Sequence, residues 1–395
     1  MGKLMKSLTI KTILAISTLG SFSTMHAAPA VSLGDEVHLF VNLASGFEYN
    51  SNITRKSKGA ELEDTIFTIH PGIEVTLGEG SASAVFTASY EFREYLDYGD
   101  DFSGEYGHLK LVTVYDNGVT SFQGLARYDQ YSSAANTSDN LNPFIAANKN
   151  FEKSVISGTV KHGLNDSVDV SVGGIYDKTE YDRDSLGIRL VGSEGFSVPV
   201  KLYYKVTPEI ATIAGYRYRE VQTDGGSGNP PIAYQDDYYF VGLDGVVFNE
   251  LWSVDLDAGY QERSSSAGSS DGLSFNGKLN YSADSNKSMY VMFSRDFKSG
   301  TTAGNSYVET LFYAGGSLKV SERLSATARA GVGQSKYSTI TRKEDLILLS
   351  TGLNYIPNEY LTIGARIQYT DIDGKGTGAA NYNATSISLN ASLRY

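Results

Sequence analysis

The sequence predicts an all-β fold: a single transmembrane antiparallel up-and-down β-barrel of about 18 strands (range roughly 16–18), with both chain ends on the periplasmic side. Three observations predict it. Apolar and polar residues alternate at period 2 over long segments, hairpin-sized units recur at a mean spacing of about 40 residues, and very short turns alternate with longer polar loops. Composition agrees, with 28 Tyr against 17 Phe and 1 Trp, 41 Gly against 8 Pro, and no cysteine in 395 residues. Tyrosine and glycine suit strands with one apolar and one wet face. Beyond the N-terminus the apolar runs reach only about six residues, far short of the roughly 20 that a membrane helix needs. The lack of cysteine excludes disulfide scaffolds and thiolate metal sites.

The chain opens on a targeting segment. Lys3, Lys6 and Lys11 precede the short apolar stretch Thr12 to Phe22, and small residues follow in Ser21 to Ala30. This pattern reads as a secretory signal peptide over residues 1–27, with cleavage expected after Ala27 or Ala30, and leaves a barrel over 28–395. The leader carries three lysines and no acids, so its removal takes the net charge from -12 to -15. Such an acidic exported chain argues against nucleic acid or anionic lipid as a partner.

The hairpins follow in order. Aromatic, charge-tipped segments recur as GFEYN from Gly46, SYEFREY from Ser89, GYRYREV from Gly215 and, at the far end, IQYTDI from Ile367. Tight turns are expected at Gly78 to Ser81, Asp116 to Gly118, Leu164 to Asp166, Thr207 to Glu209, Phe248 to Glu250, Asp284 to Asn286, Ser321 to Arg323 and Pro357 to Glu359, several with Asn-Gly or Pro chemistry. Longer loops are expected at Ile53 to Asp64, Ala134 to Asn148, Arg183 to Ser193, Thr223 to Gln235, Ser264 to Asp271, Lys298 to Asn305 and Gly374 to Asn383. Pro71-Gly72, inside one strand, predicts a bulge or kink.

Alternation assigns faces. Phe196, Val198, Val200, Leu202 and Tyr204 oppose Ser197, Lys201, Tyr203 and Lys205, and Leu361, Ile363, Ala365, Ile367 and Tyr369 oppose Thr362, Gly364, Arg366, Gln368 and Thr370. The apolar set belongs in lipid and the polar set in the lumen. Near Leu109 to Val114 and Ser154 to Val160 both phases are tolerable, so their faces stay open. A propeller blade has a similar period, but it needs four strands in that length, whereas two strands of 10 to 16 residues fill it here. Tyr49, Tyr90, Tyr95, Tyr128, Tyr131, Tyr176, Tyr181, Tyr216, Tyr218, Tyr260, Tyr337 and Tyr369 all fall toward the long-loop ends, where an interfacial girdle is expected. The last strand, with Ile387, Leu389, Ala391, Leu393 and Tyr395 on one face, ends on an aromatic residue. It is similar to the signal read by the barrel-assembly machinery, with Tyr395, Leu393 and Leu389 as its candidate elements.

The chain is identified as a member of the putative β-barrel porin 2 family of Gram-negative outer-membrane proteins, on GFEYNSNIT (Gly46 to Thr54), FTIHPGIEV (Phe67 to Val75), TPEIATIAGYRYRE (Thr207 to Glu220) and SERLSATARAGVG (Ser321 to Gly333). The resemblance covers nearly the whole mature chain through loose strand and turn patterns. It implies the barrel and an association with exopolysaccharide export and synthesis, and it carries over no motif with a chemical role.

The lumen face is where selectivity is expected. The candidate lumen-lining residues are Arg93, Arg127, Arg217, Arg219, Arg263, Arg329, Arg366, Glu48, Glu91, Asp129, Asp255 and Asp257. Such charges either pair across the wall or form a mixed-charge channel that hydrogen-bonds solutes. No nucleophile elbow, HExxH or Walker A sequence occurs, and no histidine falls in a long loop, so no catalytic, cofactor or metal site is expected. Asp97, Asp100 and Asp101 lack the spacing of a calcium loop and read as a solvated rim. Eighteen strands enclose more space than side chains fill. The expected function is an outer-membrane, porin-like channel for passive passage of small hydrophilic solutes, saccharides or exopolysaccharide among them. The alternative is a non-conducting surface or polysaccharide-assembly scaffold. Expected partners are outer-membrane lipid, periplasmic chaperones and the barrel-assembly machinery during biogenesis, and polysaccharide export components, after export through the general secretory pathway.

Overall fold

The computed structural model describes residues 28–395 except 35, 79, 133–149, 182–190, 225–230, 248–250, 267, 285, 300–305, 339, 377 and 380. The proposed leader, 1–27, lies outside the described residues, as do the turn expected at 248–250 and much of the loops expected near 134–148, 183–193, 223–235 and 298–305. The strands are β1 (Val31–Leu33), β2 (Val37–Asn50), β3 (Asp64–Leu77), β4 (Ala82–Tyr95), β5 (Gly104–Asp116), β6 (Thr120–Ser132), β7 (Asn150–Asn165), β8 (Val168–Tyr181), β9 (Ser193–Lys205) and β10 (Ile210–Thr223). They continue with β11 (Ile232–Val247), β12 (Trp252–Ser265), β13 (Gly268–Asp284), β14 (Lys287–Ser299), β15 (Ser306–Lys319), β16 (Leu324–Tyr337), β17 (Arg342–Tyr355), β18 (Leu361–Gly376) and β19 (Tyr382–Arg394). A short helix, α1 (Gly99–Phe102), interrupts the connection between β4 and β5.

Each strand from β2 to β19 pairs antiparallel with the next, and β19 returns to β2 from Ser386↔Asn50 to Arg394↔Asn42, closing eighteen strands into a barrel. Tyr395 extends that seam by exchanging backbone hydrogen bonds with Val41 at 2.5 and 2.9 Å. Below it, β1 takes over the same edge of β2, Val31↔Leu39 to Leu33↔Val37. No polar edge of β2 is therefore left bare along its length. At about 3.3 Å per residue a strand of this length runs roughly 45 Å, enough to cross an apolar band about 25 Å tall when tilted by about 40°.

Burial is inverted relative to a water-soluble protein. Phe47, Val241, Leu273, Ile387 and Leu389 are at least half exposed, while Glu91, Asp129, Asp236, Arg263 and Glu344 are buried. Large apolar residues facing outward over many neighbouring strands are stable only against lipid. The strands with undecided phase resolve in the same sense: Leu109, Leu111, Ile156 and Val160 are exposed on the outer face. The core lies inside the ring. Apolar clusters form on the inner wall at Tyr203, Ile213, Tyr238 and Phe240, and at Leu311, Tyr313, Leu346, Ile372 and Tyr382, so the interior is not uniformly polar.

Three expectations are corrected. Pro71 makes no bulge: the β2–β3 register passes straight through Leu43↔Pro71, and the β3–β4 ladder merely skips His70 and Pro71 before resuming unshifted at Gly72↔Ser89. Proline deletes one N–H, which costs the ladder a bond without requiring an extra residue, and His70 Nε2 meets Ser89 Oγ at 2.9 Å across the gap. The register shifts that do occur flank short turns, at Gly163/Asn165 and Ser282/Asp284. The loop expected over Ser264 to Asp271 is instead strand, with β12 and β13 paired up to Ser265↔Gly268. Its serine-rich composition suggests a loop, but both strands continue beyond the apolar band, where polar side chains suit exposed hairpin tips. Third, Tyr95, Tyr131, Tyr181 and Tyr337 belong to the inward-facing registers, not to an outer girdle; Tyr95 and Tyr181 are buried.

The remaining outward tyrosines do form a belt at the long-loop end, where several are held by a carboxylate. Tyr49 donates to Glu63 at 2.6 Å, Tyr90 to Glu105 at 2.7 Å and Tyr216 to Asp237 at 2.5 Å, and Tyr260 donates to Asp271. An amphipathic ring with its hydroxyl turned to charged acceptors marks the boundary between lipid and water.

Candidate functional site on the inner wall

Strand parity and register place all twelve sequence candidates on the inward face, and contacts between non-adjacent strands identify that face as the interior. Arg217 of β10 reaches Asp296 of β14 at 3.2 Å, and Arg263 of β12 reaches backbone of β14 and a side chain of β15. Such contacts can form only through the barrel.

The candidates fall into separate groups. On β3 to β6, Arg93 pairs with Glu91 at 2.5 Å and Arg127 pairs with Asp129. Between these pairs the rings of His70 and His108 stand 5.3 Å apart, and His108 Nδ1 meets Asp129 Oδ1 at 3.0 Å. Sequence alternation explains the pairing, because residues two apart on one strand share a face. Next to this group, at the loop end, the connections after β2 and β4 fold onto the wall: Ile53 and Leu62 pack with Ile66, Tyr95, Tyr98 and Phe102. Asp64 accepts the backbone N–H groups of Leu96, Asp97 and Tyr98 at 3.0 to 3.1 Å. Asn52 donates to the carbonyls of Lys56 and Asn383. Asp97 thereby belongs to a built turn, while Asp100 and Asp101 lie in the first turn of α1.

The second group is a clamp. Arg263, 2 % exposed, makes a bidentate pair with Asp236, at 2.5 and 2.6 Å. Its remaining N–H groups donate to the carbonyls of Lys298 (2.9 Å) and Phe297 (3.3 Å) and to Ser306 Oγ (2.9 Å). The need for those donors is local. The β13–β14 ladder starts only at Phe275↔Arg295, so Gly268–Ser274 and Asp296–Ser299 stand apart, and Arg263 supplies donors that a neighbouring strand otherwise would. From the other side Arg295 Nε donates to the Leu273 carbonyl at 3.0 Å.

The third group lies deeper, in a cavity of about 510 Å3 against the wall of β7 to β14. Arg217, Lys201, Asp257, Asp296 and Lys298 face it. Arg217 lies 5.0 Å from the centre of the Tyr238 ring, Tyr238 donates to Asp257 at 2.7 Å, and Lys298 stands 3.5 Å from Asp296. Phe240 lies flat across Gly215, where an added Cβ would collide with the ring, and Lys201 sits over that ring at 5.7 Å. Tyr313 repeats the arrangement across Gly331, with Arg329 at 4.4 Å. The other candidates are more dispersed. Arg219 stands opposite Asp236, Asp255 opposite Asp244 and Lys278, and Arg366 opposite Ser388; Glu48 accepts from Asn50 at 3.4 Å.

Sequence reasoning misses Lys201, Asp296, Lys298 and the aromatic floor as members of one site. Ser294, Asp296 and Lys298 alternate as an inward polar set, but Arg295 interrupts the outward apolar phase and hides the signal. Among the described residues no three His, Asp or Glu are placed to hold a metal ion.

The profile of the putative beta-barrel porin 2 family matches residues 39–395. The chain belongs to this family. It is a porin-type β-barrel of the outer membrane. No curated protein matches it. Solved outer-membrane proteins superpose on it at low identity. OpdQ of Pseudomonas aeruginosa is 13% identical with a TM-score of 0.49, covering 91% of this chain and 97% of that one. OccK2 (OpdF) of Pseudomonas aeruginosa in complex with glucuronate is 10% identical with a TM-score of 0.49, covering 91% and 98%. A loop L8 deletion mutant of OmpT from Vibrio cholerae is 13% identical with a TM-score of 0.42, covering 91% and 99%.

Proposed function

We propose that this porin-family barrel is a passive channel through which small hydrophilic solutes cross the outer membrane, with the inward charges acting on what passes. The observation that carries the reading is the lining itself: a closed eighteen-stranded ring whose inner wall holds Arg217, Asp296, Asp257 and Lys201 around a cavity of about 510 Å3. A barrel of this strand number exceeds what its own side chains fill. Burying so many charges in the wall of a merely structural barrel costs desolvation that apolar packing avoids. In this reading the candidates that are open to the lumen act by binding and orienting solutes, Arg263 serves the wall itself, and no catalytic step is assigned to any of the twelve. The short turns and both chain ends face the periplasm and the longer loops face outward, following export on a cleaved leader. Tyr395, Leu393 and Leu389 present the closing strand to the assembly machinery. Saccharides fit an interior that combines aromatic rings with Arg and Asp, and an exopolysaccharide system is the expected context.

The rival reading, a non-conducting scaffold, draws on the folded connections around Ile53 and Tyr95, which pack onto the wall at the loop end. Planar-bilayer recording of the refolded barrel separates the two. Stepwise conductance is expected, and its absence at every voltage overturns the channel reading.

A further inference from the structure

We infer that the cavity along β7 to β14 is a subsite for a small hydroxy-carboxylate, gripped by Lys201 and Arg217. This rests on the channel reading and names the solute class that its wall would hold back and pass. The charges around the cavity do not cancel. Asp296 is shared between Arg217 at 3.2 Å and Lys298 at 3.5 Å, and Asp257 takes the Tyr238 hydroxyl at 2.7 Å. Arg295, though it borders the cavity, turns its side chain to the outer face, where the Leu273 carbonyl and Thr310 Oγ1 occupy it. Among the described residues no carboxylate comes within ion-pair distance of Lys201, and the Asp296 carboxylate that Arg217 contacts is shared with Lys298. Elsewhere on the wall Arg93, Arg127 and Arg263 each have a carboxylate in direct contact.

What the cavity lacks is therefore one negative charge carried on acceptor oxygens, beside the Lys201 ammonium and the Arg217 guanidinium that both line it. A carboxylate supplies it, since its two oxygens can accept from both cations at once. The floor strengthens the grip. Tyr238 and Phe240 stack at 4.9 Å and lie beneath Arg217 and Lys201, so the cations are backed by low-dielectric rings rather than by water. Asn276 and Ser294, cross-strand partners on the same lining, offer hydrogen bonds to hydroxyl groups beyond the carboxylate. A cavity of about 510 Å3 lies within the usual small-molecule range of about 300–1,000 Å3.

The test uses the full mature barrel in planar bilayers, with gluconate and glucose as probes at equal concentrations. Gluconate is expected to interrupt the current in a saturable manner while glucose does not. Lys201→Gln should raise the half-blocking gluconate concentration at least about tenfold, the loss expected for one charge-assisted contact. Lys343→Gln, which removes an exposed lysine paired with Asp345, should leave the block unchanged. Arg217→Gln should act like Lys201→Gln; if it fails to assemble, Lys201→Gln decides alone. Equal block by gluconate and glucose, or block unaltered by Lys201→Gln, overturns the subsite while leaving the channel standing. If the wild-type barrel does not conduct, the channel reading fails, and calorimetry of gluconate with the folded barrel decides the subsite: binding lost in Lys201→Gln supports it, and no wild-type binding overturns it.

Discussion

Replacing Arg263 by glutamine should cost the barrel more stability than the same change at Arg127 or Arg217, whose side chains are more exposed. The guanidinium makes two bonds to Asp236 and three to Phe297, Lys298 and Ser306, and both charges are almost wholly buried, at 2% and 1% side-chain exposure. A neutral, shorter glutamine at this position would leave the Asp236 carboxylate without its counter-charge, a change worth about 3–5 kcal/mol when one partner of a buried pair is removed. The Phe297 carbonyl would lose its Arg263 donor as well, at about 1 kcal/mol or more unless water replaces it, while the Lys298 carbonyl keeps the Ser306 hydroxyl at 3.3 Å. The measurement is urea unfolding of the refolded barrel in detergent, followed by fluorescence of Trp252, which begins the same strand. Adding Asp236→Asn should recover part of the loss, because the uncompensated charge disappears while the bonds to the Phe297 and Lys298 carbonyls stay lost. A loss below about 1 kcal/mol, the value of an exposed pair, would refute the reasoning. So would strict additivity of the two substitutions, since residues in one network must couple.

Other substitutions probe other parts of the barrel. Asp64→Ala should free the N–H groups of Leu96 to Tyr98, cost about 2 kcal/mol, and open the 96–103 connection to limited proteolysis; unchanged cleavage would show that the turn stands without it. Pro71→Ala should be neutral or stabilise by up to about 1 kcal/mol, because the restored N–H finds its place in an unshifted ladder; clear destabilisation in the same urea assay would mean that the proline shapes the strand. Tyr216→Phe should cost about 1 kcal/mol through the lost bond to Asp237, and no change would indicate that water already serves that carboxylate. Deleting Tyr395 removes the bonds to Val41 and the ring contact with Tyr360 at 5.7 Å, and is expected to lower the amount of folded barrel in outer-membrane fractions; wild-type levels would remove its role as an assembly signal.

Most of the fold is legible in the sequence because a period-2 pattern repeated over eighteen strands leaves little room for another register. Segments such as Phe196 to Val206 state their face outright. The turn after Ser265 escapes such reasoning because serine-rich sequence serves a hairpin tip in water as well as it serves a loop. The inward tyrosines escape it for a related reason: Tyr90 and Tyr95 lie near the same strand end, yet an odd separation turns them to opposite faces. For the site, parity alone identifies which arginines and carboxylates face inward. It cannot group them, because Arg217 meets Asp296 only through the curvature of the barrel, 79 residues along the chain. Nor does parity register that Arg263 closes a local lapse in strand pairing, since that lapse leaves no trace in residue type.

The glycines beneath Phe240 and Tyr313 separate two properties of a channel, its width and its chemistry. Strand number fixes the diameter of the ring, but the usable bore depends on whether rings on the wall lie down or stand up. At Gly215 and Gly331 a methyl group in place of a hydrogen would lift the ring toward the axis and narrow the aperture, without adding a charge to the lining or removing one. Size exclusion and charge preference are thus written in different residues, glycines for the one and arginines, lysines and aspartates for the other. Related barrels could drift in the size of solute they admit while keeping the chemistry by which they recognise it.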